Sequence, residues 1–292
     1  MPLLDPKDLA RVKNLQLFAR TVVEGFATGL HASPHKGMSV EFRQHRPYVP
    51  GDEIRHIDWK VFGRTDRYHI REFEEETNLR CTLVVDVSGS MGYTGTGGLE
   101  KLDYARRTAA CLAWLMMSQA DSVGLVTFDR KVRSVLPPRS KVSHLRHLME
   151  ILANAEPSSE TDAGASLLEI TPQLKRRGLV IVISDCFGDA DSFLKSLAML
   201  KHRGHEVIVF QIFDRDELEF PFKQWTRFEG IEDGSEHMVD PAALRATYLS
   251  ELEKWRDELA RGCRRRKIDL VPLVTDQPYA DSLSRYLAWR AR

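Results

Sequence analysis

The spacing of hydrophobic and polar positions changes character several times along the chain. Between residues 5 and 30, Leu9, Val12, Leu15, Phe18, Val22, Val23, Phe26 and Leu30 recur at three- and four-residue steps, which predicts an amphipathic helix that needs a surface to cover. After the loop HASPHKGMS, residues 40–78 are charge-rich and extended at both ends. A Pro50-Gly51-Asp52 turn and scattered Phe42, Tyr48, Ile57, Trp59 and Phe73 predict a hairpin-like layer beside the main domain. From residue 81 short, continuous apolar runs alternate with helical periodicity. Runs at 82–85, 122–128, 179–184, 206–213 and 268–274 predict strands, with 132–136 pairing to 122–128 around Asp129-Arg130. Helices are predicted at 99–119, 141–153, 163–177, 191–202, 241–265 and 279–290, with Gly178 stopping the third and Pro241 opening the fifth.

Apolar runs without alternation belong to strands buried on both faces, so the order predicts an α/β, Rossmann-like domain with a mainly parallel sheet and helices on both faces. Residues 217–240 are less regular and predict an insertion of strands at an edge. The resulting division is 1–78, an N-terminal helix and an extended β-rich segment packing on the main domain, and 79–292, the α/β domain itself.

Composition narrows the function. Lys plus Arg (42) equals Asp plus Glu (42), so net charge provides no field for nucleic acid or an acidic membrane. The apolar runs fall far short of the ~18 residues of a membrane span. The N-terminus lacks a basic segment followed by an apolar core, so a secretory signal is not expected. Cys81, Cys111, Cys186 and Cys263 lie far apart without a C-x-x-C pair, which predicts reduced thiols in a cytoplasmic protein.

The candidate chemistry sits where strands stop. In CTLVVDVSGSM the apolar run ends in Asp86, Ser88 and Ser90, and in VIVISDCFGD a second run ends in Asp185. Ligands of open α/β sheets bind beyond the carboxyl ends of the strands, and one or two carboxylates with hydroxyls suit a hard cation there. Between these runs SSETDAGASL places Thr161 in a loop ahead of a helix, with Ser158, Ser159 and Asp162 as neighbouring alternatives. Mg²⁺ takes about six oxygens and keeps waters, which leaves a coordination position for a carboxylate from another protein.

At these residues the chain resembles known proteins. DVSGS, TDAGASL and ISDCFGD resemble the metal-ion-dependent adhesion site of von Willebrand factor type A domains. Upstream, EFRQHRPYVPGDEIRHIDWKVFGRTDRYHIREFEEE is similar to the signature of the bacterial family called domain of unknown function fifty-eight, in which it precedes such a domain. The resemblance implies Mg²⁺, with Mn²⁺ or Ca²⁺ as substitutes, held by Asp86, Ser88, Ser90, Thr161 and Asp185. It also implies an adaptor or co-chaperone role beside a MoxR-type AAA+ ATPase in assembling or activating other proteins. Many longer family members carry N-terminal transmembrane helices and this chain shows none, so a membrane-anchored role is not expected.

Competing readings are weaker. Asp86 and Asp185 could merely cap the following helices. A phosphoryl-transfer hydrolase with Asp86 as nucleophile lacks a carboxyl general acid at position 88, which is Ser88, and no lysine is evidently placed to balance a phosphate. A purely structural subunit would work instead through the Arg-rich segment around Arg46 and Arg55. The Gly-rich GYTGTGGLEK fits neither nucleotide-binding pattern and reads as a mobile rim beside the metal. The pairs His144/His147 and His202/His205 lack partners at zinc spacing and read as structural, while Asp189 and Asp191 read as solvated or capping residues.

Overall fold

A computed structural model describes residues 39–49, 57–76, 79–96, 98–158, 162–223, 226–229 and 236–277. The expected helices at 5–30 and 279–290, the Pro50-Gly51-Asp52 turn and Thr161 lie outside the described residues. The described chain divides between two compact units, residues 39–79 and residues 80–277.

In the smaller unit β1 (Ser39–Pro47) pairs antiparallel with β2 (His69–Glu76), the hairpin-like arrangement expected, with α1 (Trp59–Thr65) between them. Asp58 starts α1 by accepting the backbone N–H groups of Lys60 at 2.9 Å and Val61 at 3.3 Å, donors that a helix start otherwise leaves unpaired. Phe62 stacks on Tyr68 with ring centroids 4.5 Å apart, and Trp59 meets Tyr68 edge-on.

The larger unit is built on a six-stranded sheet of β3 (Arg80–Asp86), β4 (Ser122–Phe128), β5 (Val132–Arg139), β6 (Leu179–Ser184), β7 (Glu206–Phe213) and β10 (Asp269–Val274), in the order β10-β7-β6-β3-β4-β5. All neighbours are parallel except β4 and β5. Val, Ile and Leu fill β3, β6 and β7, and their burial on both faces is what a central parallel strand requires. Pro137 and Pro138 sit within β5, the edge strand of the sheet, where a missing N–H facing outward costs no ladder bond.

Two helices, α2 (Lys101–Ser118) and α3 (Val142–Ala153), pack together and cover one face. The other face is covered by α4 (Ala163–Ile170), α5 (Ala190–His202) and α7 (Pro241–Arg265), with Val84, Val126, Val182, Val209, Leu167 and Leu197 in the core between sheet and helices. The doubly wound α/β architecture expected from the pattern is therefore present. β4 lies on one side of β3 and β6 on the other, so the chain reverses direction across the sheet at β3, and a crevice opens at its carboxyl end.

Two elements differ from expectation. The helix predicted at 163–177 ends at Ile170 and continues only as a 3-10 turn, Thr171–Gln173, because Pro172 has no N–H to donate and its ring clashes with the preceding turn. The described strands of the 217–240 segment form a sheet of their own and not an edge of the main sheet. It begins inside α6 (Arg215–Glu219), and among the described residues β8 (Thr226–Glu229) and β9 (Glu236–Val239) pair only with each other. All four cysteines are free and buried.

Candidate metal centre

β3 and β6 run in register from Cys81 opposite Leu179 to Val85 opposite Ile183, which brings Asp86 level with Ser184 and Asp185 one residue beyond. Asp86, Ser88 and Asp185 are almost wholly buried, and Ser90 is partly exposed. Ser88 Oγ lies 3.1 Å from Ser90 Oγ, so the two hydroxyls share one corner of the crevice.

Neither aspartate caps a helix. Asp86 Oδ1 accepts the N–H of Ser88 at 3.0 Å and Asp185 Oδ1 that of Phe187 at 3.1 Å, each closing a tight turn just past its strand. The cap of α5 is Asp189, whose side chain accepts the N–H of Asp191. Within the second turn Cys186 holds φ 61°, a left-handed conformation that costs a non-glycine residue ~1 kcal/mol or more.

Thr161 lies outside the described residues, but both flanks of its loop are anchored. Ser158 donates its N–H to Val87 O at 2.9 Å and its hydroxyl to the Asp129 carboxylate. Asp162 accepts the N–H of Ala165 at 2.9 Å and so starts α4. Asp129 is fully buried. Burial works to raise its pKa, but hydrogen bonds from Arg133, Ser158 and the Lys131 N–H outweigh this and hold it below the usual carboxylate value.

Three residues that sequence reasoning did not single out complete the site. Ser184 donates its hydroxyl to Asp86 Oδ2 at 2.6 Å and accepts the N–H of Cys186 at 2.8 Å. Lys101, the first residue of α2, is fully buried with Nζ 2.9 Å from Asp185 Oδ2 and 2.6 Å from Glu217 Oε1. Glu217 in turn accepts the N–H of Asp214 at 2.7 Å, closing the capping box that starts α6. Sequence reasoning found no lysine evidently placed to balance a phosphate; Lys101 does stand at the site, with its ammonium engaged by two carboxylates.

The Gly-rich connection is tethered by the residues that follow β7. Gly95 N–H donates to Asp214 Oδ2 at 3.2 Å, and Thr96 donates its N–H and hydroxyl to Asp216 at 2.9 and 2.7 Å. A Cβ on Gly95 would collide with the Asp214 carboxylate, so only glycine permits this approach.

The electrostatics bear directly on whether these residues fit a cation. Burial, and secondarily the charge of Asp185, push the Asp86 pKa up to about 7. For Lys101, burial acts to lower the pKa, and the carboxylates of Asp185 and Glu217 more than offset it. With all three ionised, Asp86, Asp185 and Glu217 set three negative charges against the single positive charge of Lys101, and burial of that excess is what drives Asp86 toward protonation without a cation. Among the described residues no Lys or Arg pairs with Asp86, and none but Lys101 is fully buried. The deficit is two charges, which a divalent cation removes, and the oxygen-only donors suit a hard ion. Among the described residues no cluster of three or more His, Cys, Asp and Glu has metal-binding geometry, so the fit rests on two carboxylates with hydroxyls.

The model of the family described as "Protein of unknown function DUF58" matches residues 44–258. The chain belongs to this family. Uncharacterized proteins of Mycobacterium tuberculosis and Mycobacterium bovis are each 28% identical over 293 residues, covering 99% of this chain and 91% of theirs. Among solved structures, the conserved hypothetical protein BatB from Bacteroides thetaiotaomicron aligns with TM-score 0.47 at 18% identity, over 73% of this chain and 98% of that one. The SpRpn10 VWA domain aligns with TM-score 0.41 at 11% identity, over 70% and 93%. The mainly parallel six-stranded sheet with helices on both faces is the architecture that the motif resemblance implies. Within the DUF58 segment, Asp58 of PGDEIRHIDW is the residue that starts α1. Among the described residues no helix is long and apolar enough to cross a membrane.

Proposed function

We propose that this member of the DUF58 family is a protein-binding module whose grip depends on a divalent cation. Asp86, Ser88, Ser90, Thr161 and Asp185 hold Mg²⁺, or Mn²⁺ or Ca²⁺ in its place, and an acidic residue of a client protein completes the coordination. The chain works in the cytoplasm beside a MoxR-type AAA+ ATPase, as adaptor or co-chaperone in the assembly or activation of other proteins, and has no catalysis of its own.

The observation that carries this reading is the uncompensated charge of Asp86: a buried carboxylate that meets only neutral donors among the described residues, at the switch point of the sheet, beside two hydroxyls. A protein rarely buries such a charge unless a cation joins it. An open cavity of about 520 Å³ also adjoins the site through Val87 and Ser158, lined further by Arg133, His147 and Ile151, which provides a concave surface next to the metal for a partner. Ser88, two residues after Asp86, cannot serve as a carboxyl general acid, and this argues against phosphoryl transfer.

The test is calorimetric titration of purified protein with Mg²⁺, alongside co-precipitation with a purified MoxR-type ATPase and with clients in the presence and absence of chelator. Mg²⁺ binding and client capture are both expected to vanish in Asp86→Ala with the fold intact. Client capture indifferent to chelator would overturn the metal-mediated model, and turnover of a generic phosphatase substrate would favour the hydrolase.

A further inference from the structure

Lys101 belongs neither to the oxygen donor set nor to what the fold requires. It opens α2, where the positive end of the helix dipole disfavours a cation, and its ammonium is buried, where an unpaired charge is costly. An apolar residue would fill the position without either penalty. The surroundings hold the ammonium at one place: Phe187 and Tyr93 set their rings 5.1 and 5.9 Å from Nζ, Glu217 approaches within 2.6 Å, and Asp185 Oδ2 accepts at 2.9 Å. The carboxylate that Lys101 holds belongs to the candidate metal centre, whereas Asp86 has no such partner among the described residues.

We propose that Lys101 is the centre's resident counter-cation and sets its affinity for divalent ions by competing for Asp185, with Glu217 as the second seat that determines how firmly it does so. The inference rests on the metal-binding reading above. With Lys101 on Asp185 the centre presents one free carboxylate, so the ion is held weakly until a partner's carboxylate joins it. Glu217 draws the ammonium away from Asp185, and through its bond to Asp214 ties this balance to the residues that hold Gly95 and Thr96.

Four variants separate the competition from a simple effect of net charge. Lys101→Met adds one negative charge to the centre and frees Asp185, and Glu217→Gln removes one and leaves Lys101 to Asp185 alone. The double variant Lys101→Met/Glu217→Gln carries the same net charge as the wild type but leaves Asp185 free, and it buries no unpaired charge at position 101 or 217, which protects against misfolding. Asp86→Ala removes the metal reading itself. Each is titrated calorimetrically with MgCl₂ and MnCl₂, and its melting temperature is measured with and without the ion.

The expected result is about tenfold tighter binding by the double variant than by the wild type, and several-fold weaker binding by Glu217→Gln. Binding by the double variant alone, with none measurable in the wild type, would likewise support Lys101 as the occupant of the site. If the wild type binds, Asp86→Ala does not, and the double variant matches the wild type, the role of Lys101 is overturned while the metal centre stands. No binding by any variant overturns the metal centre and this inference with it.

Discussion

Asp86 and Asp185 end neighbouring strands, are equally buried and each close a tight turn with one oxygen, yet their second oxygens are held in opposite ways. Asp86 Oδ2 accepts from a neutral hydroxyl, Ser184, and Asp185 Oδ2 from an ammonium, Lys101. Among the described residues one carboxylate is thus solvated by dipoles alone and the other is paired with an ammonium. Burial weakens the solvation of both, so the uncompensated one bears the cost, and the demand for an added cation arises at Asp86. The same motif type therefore does two jobs: Asp185 is already a structural ion pair, and Asp86 is the charge left for a ligand.

The most direct way to break the comparison is to neutralise each carboxylate without changing its shape. In metal-free protein at pH 8, Asp185→Asn leaves Lys101 with Glu217 alone and is expected to cost about 3 kcal/mol in urea unfolding. Asp86→Asn removes an uncompensated charge and is expected to raise stability by about 1 kcal/mol while abolishing stabilisation by Mg²⁺. Two changes of the same sign would mean that the aspartates are not held differently.

Ser184→Ala sharpens the contrast from the other side. It deletes the hydroxyl that solvates Asp86 and leaves the Cys186 N–H without its acceptor. The expected loss is about 2 kcal/mol without metal, and less with saturating Mg²⁺, since the ion takes over part of the work of solvating Asp86. An equal loss with and without Mg²⁺ would place Ser184 outside the metal centre.

Why part of this was legible in the sequence and part not follows from chain separation. Asp86, Ser88 and Ser90 lie within five residues, and apolar runs ending in Asp are visible locally. Ser184 reaches Asp86 across 98 residues, Lys101 reaches Asp185 across 84 and Glu217 across 116, and no local pattern encodes those meetings. Lys101 did leave one trace, a cation at the start of a helix directly after a Gly-rich turn, against the dipole. The strands of the main sheet were legible because a two-sided burial requirement fills them with Val, Ile and Leu. The α6 helix was missed although Asp214-Arg215-Asp216-Glu217 is a capping-box pattern, and the early end of α4 although Pro172 marks it. The reading of the Gly-rich loop as a mobile rim overlooked acids that lie more than a hundred residues away.

That loop and the Asp129 anchor test how far the site extends. Gly95→Ala forces the loop away from Asp214 and is expected to cost about 1.5 kcal/mol, with increased proteolysis confined to the segment around residues 92–98. Arg133→Ala removes the only cation at Asp129 among the described residues while Ser158 and the Lys131 N–H remain, and a loss of about 1 kcal/mol is expected. Faster cleavage near residues 156–162 should accompany it, and loss of Mg²⁺ affinity would connect this anchor to the metal.

The smallest effect sets the carboxyl end of the sheet against its amino end, where two buried histidines resist protonation. His144 is buried with its Nε2 donating to Val123 O at 2.8 Å, and His205 is buried just ahead of β7. Burial, as the largest cause, pushes the pKa of both below the ordinary value of 6.5. Below that value the unfolded chain takes up protons that the folded chain refuses, so these histidines contribute stability above about pH 6.5 that is lost as the pH falls. Asp86 acts in the opposite sense. Its folded pKa of about 7 lies above the unfolded value of 3.8, so the folded state holds the extra proton and stability falls as the pH rises between these values. In the metal-free wild type the two trends offset each other between about pH 5 and 6.5, and the stability curve there is expected to be shallow. Asp86→Asn removes one of them and should expose a stability that rises with pH by up to about 1 kcal/mol per unit, and adding His144→Gln and His205→Gln should flatten it again. A curve unchanged by Asp86→Asn would show that Asp86 carries no excess proton in the folded state, and the distinction between the two aspartates would then have to rest on Lys101 alone.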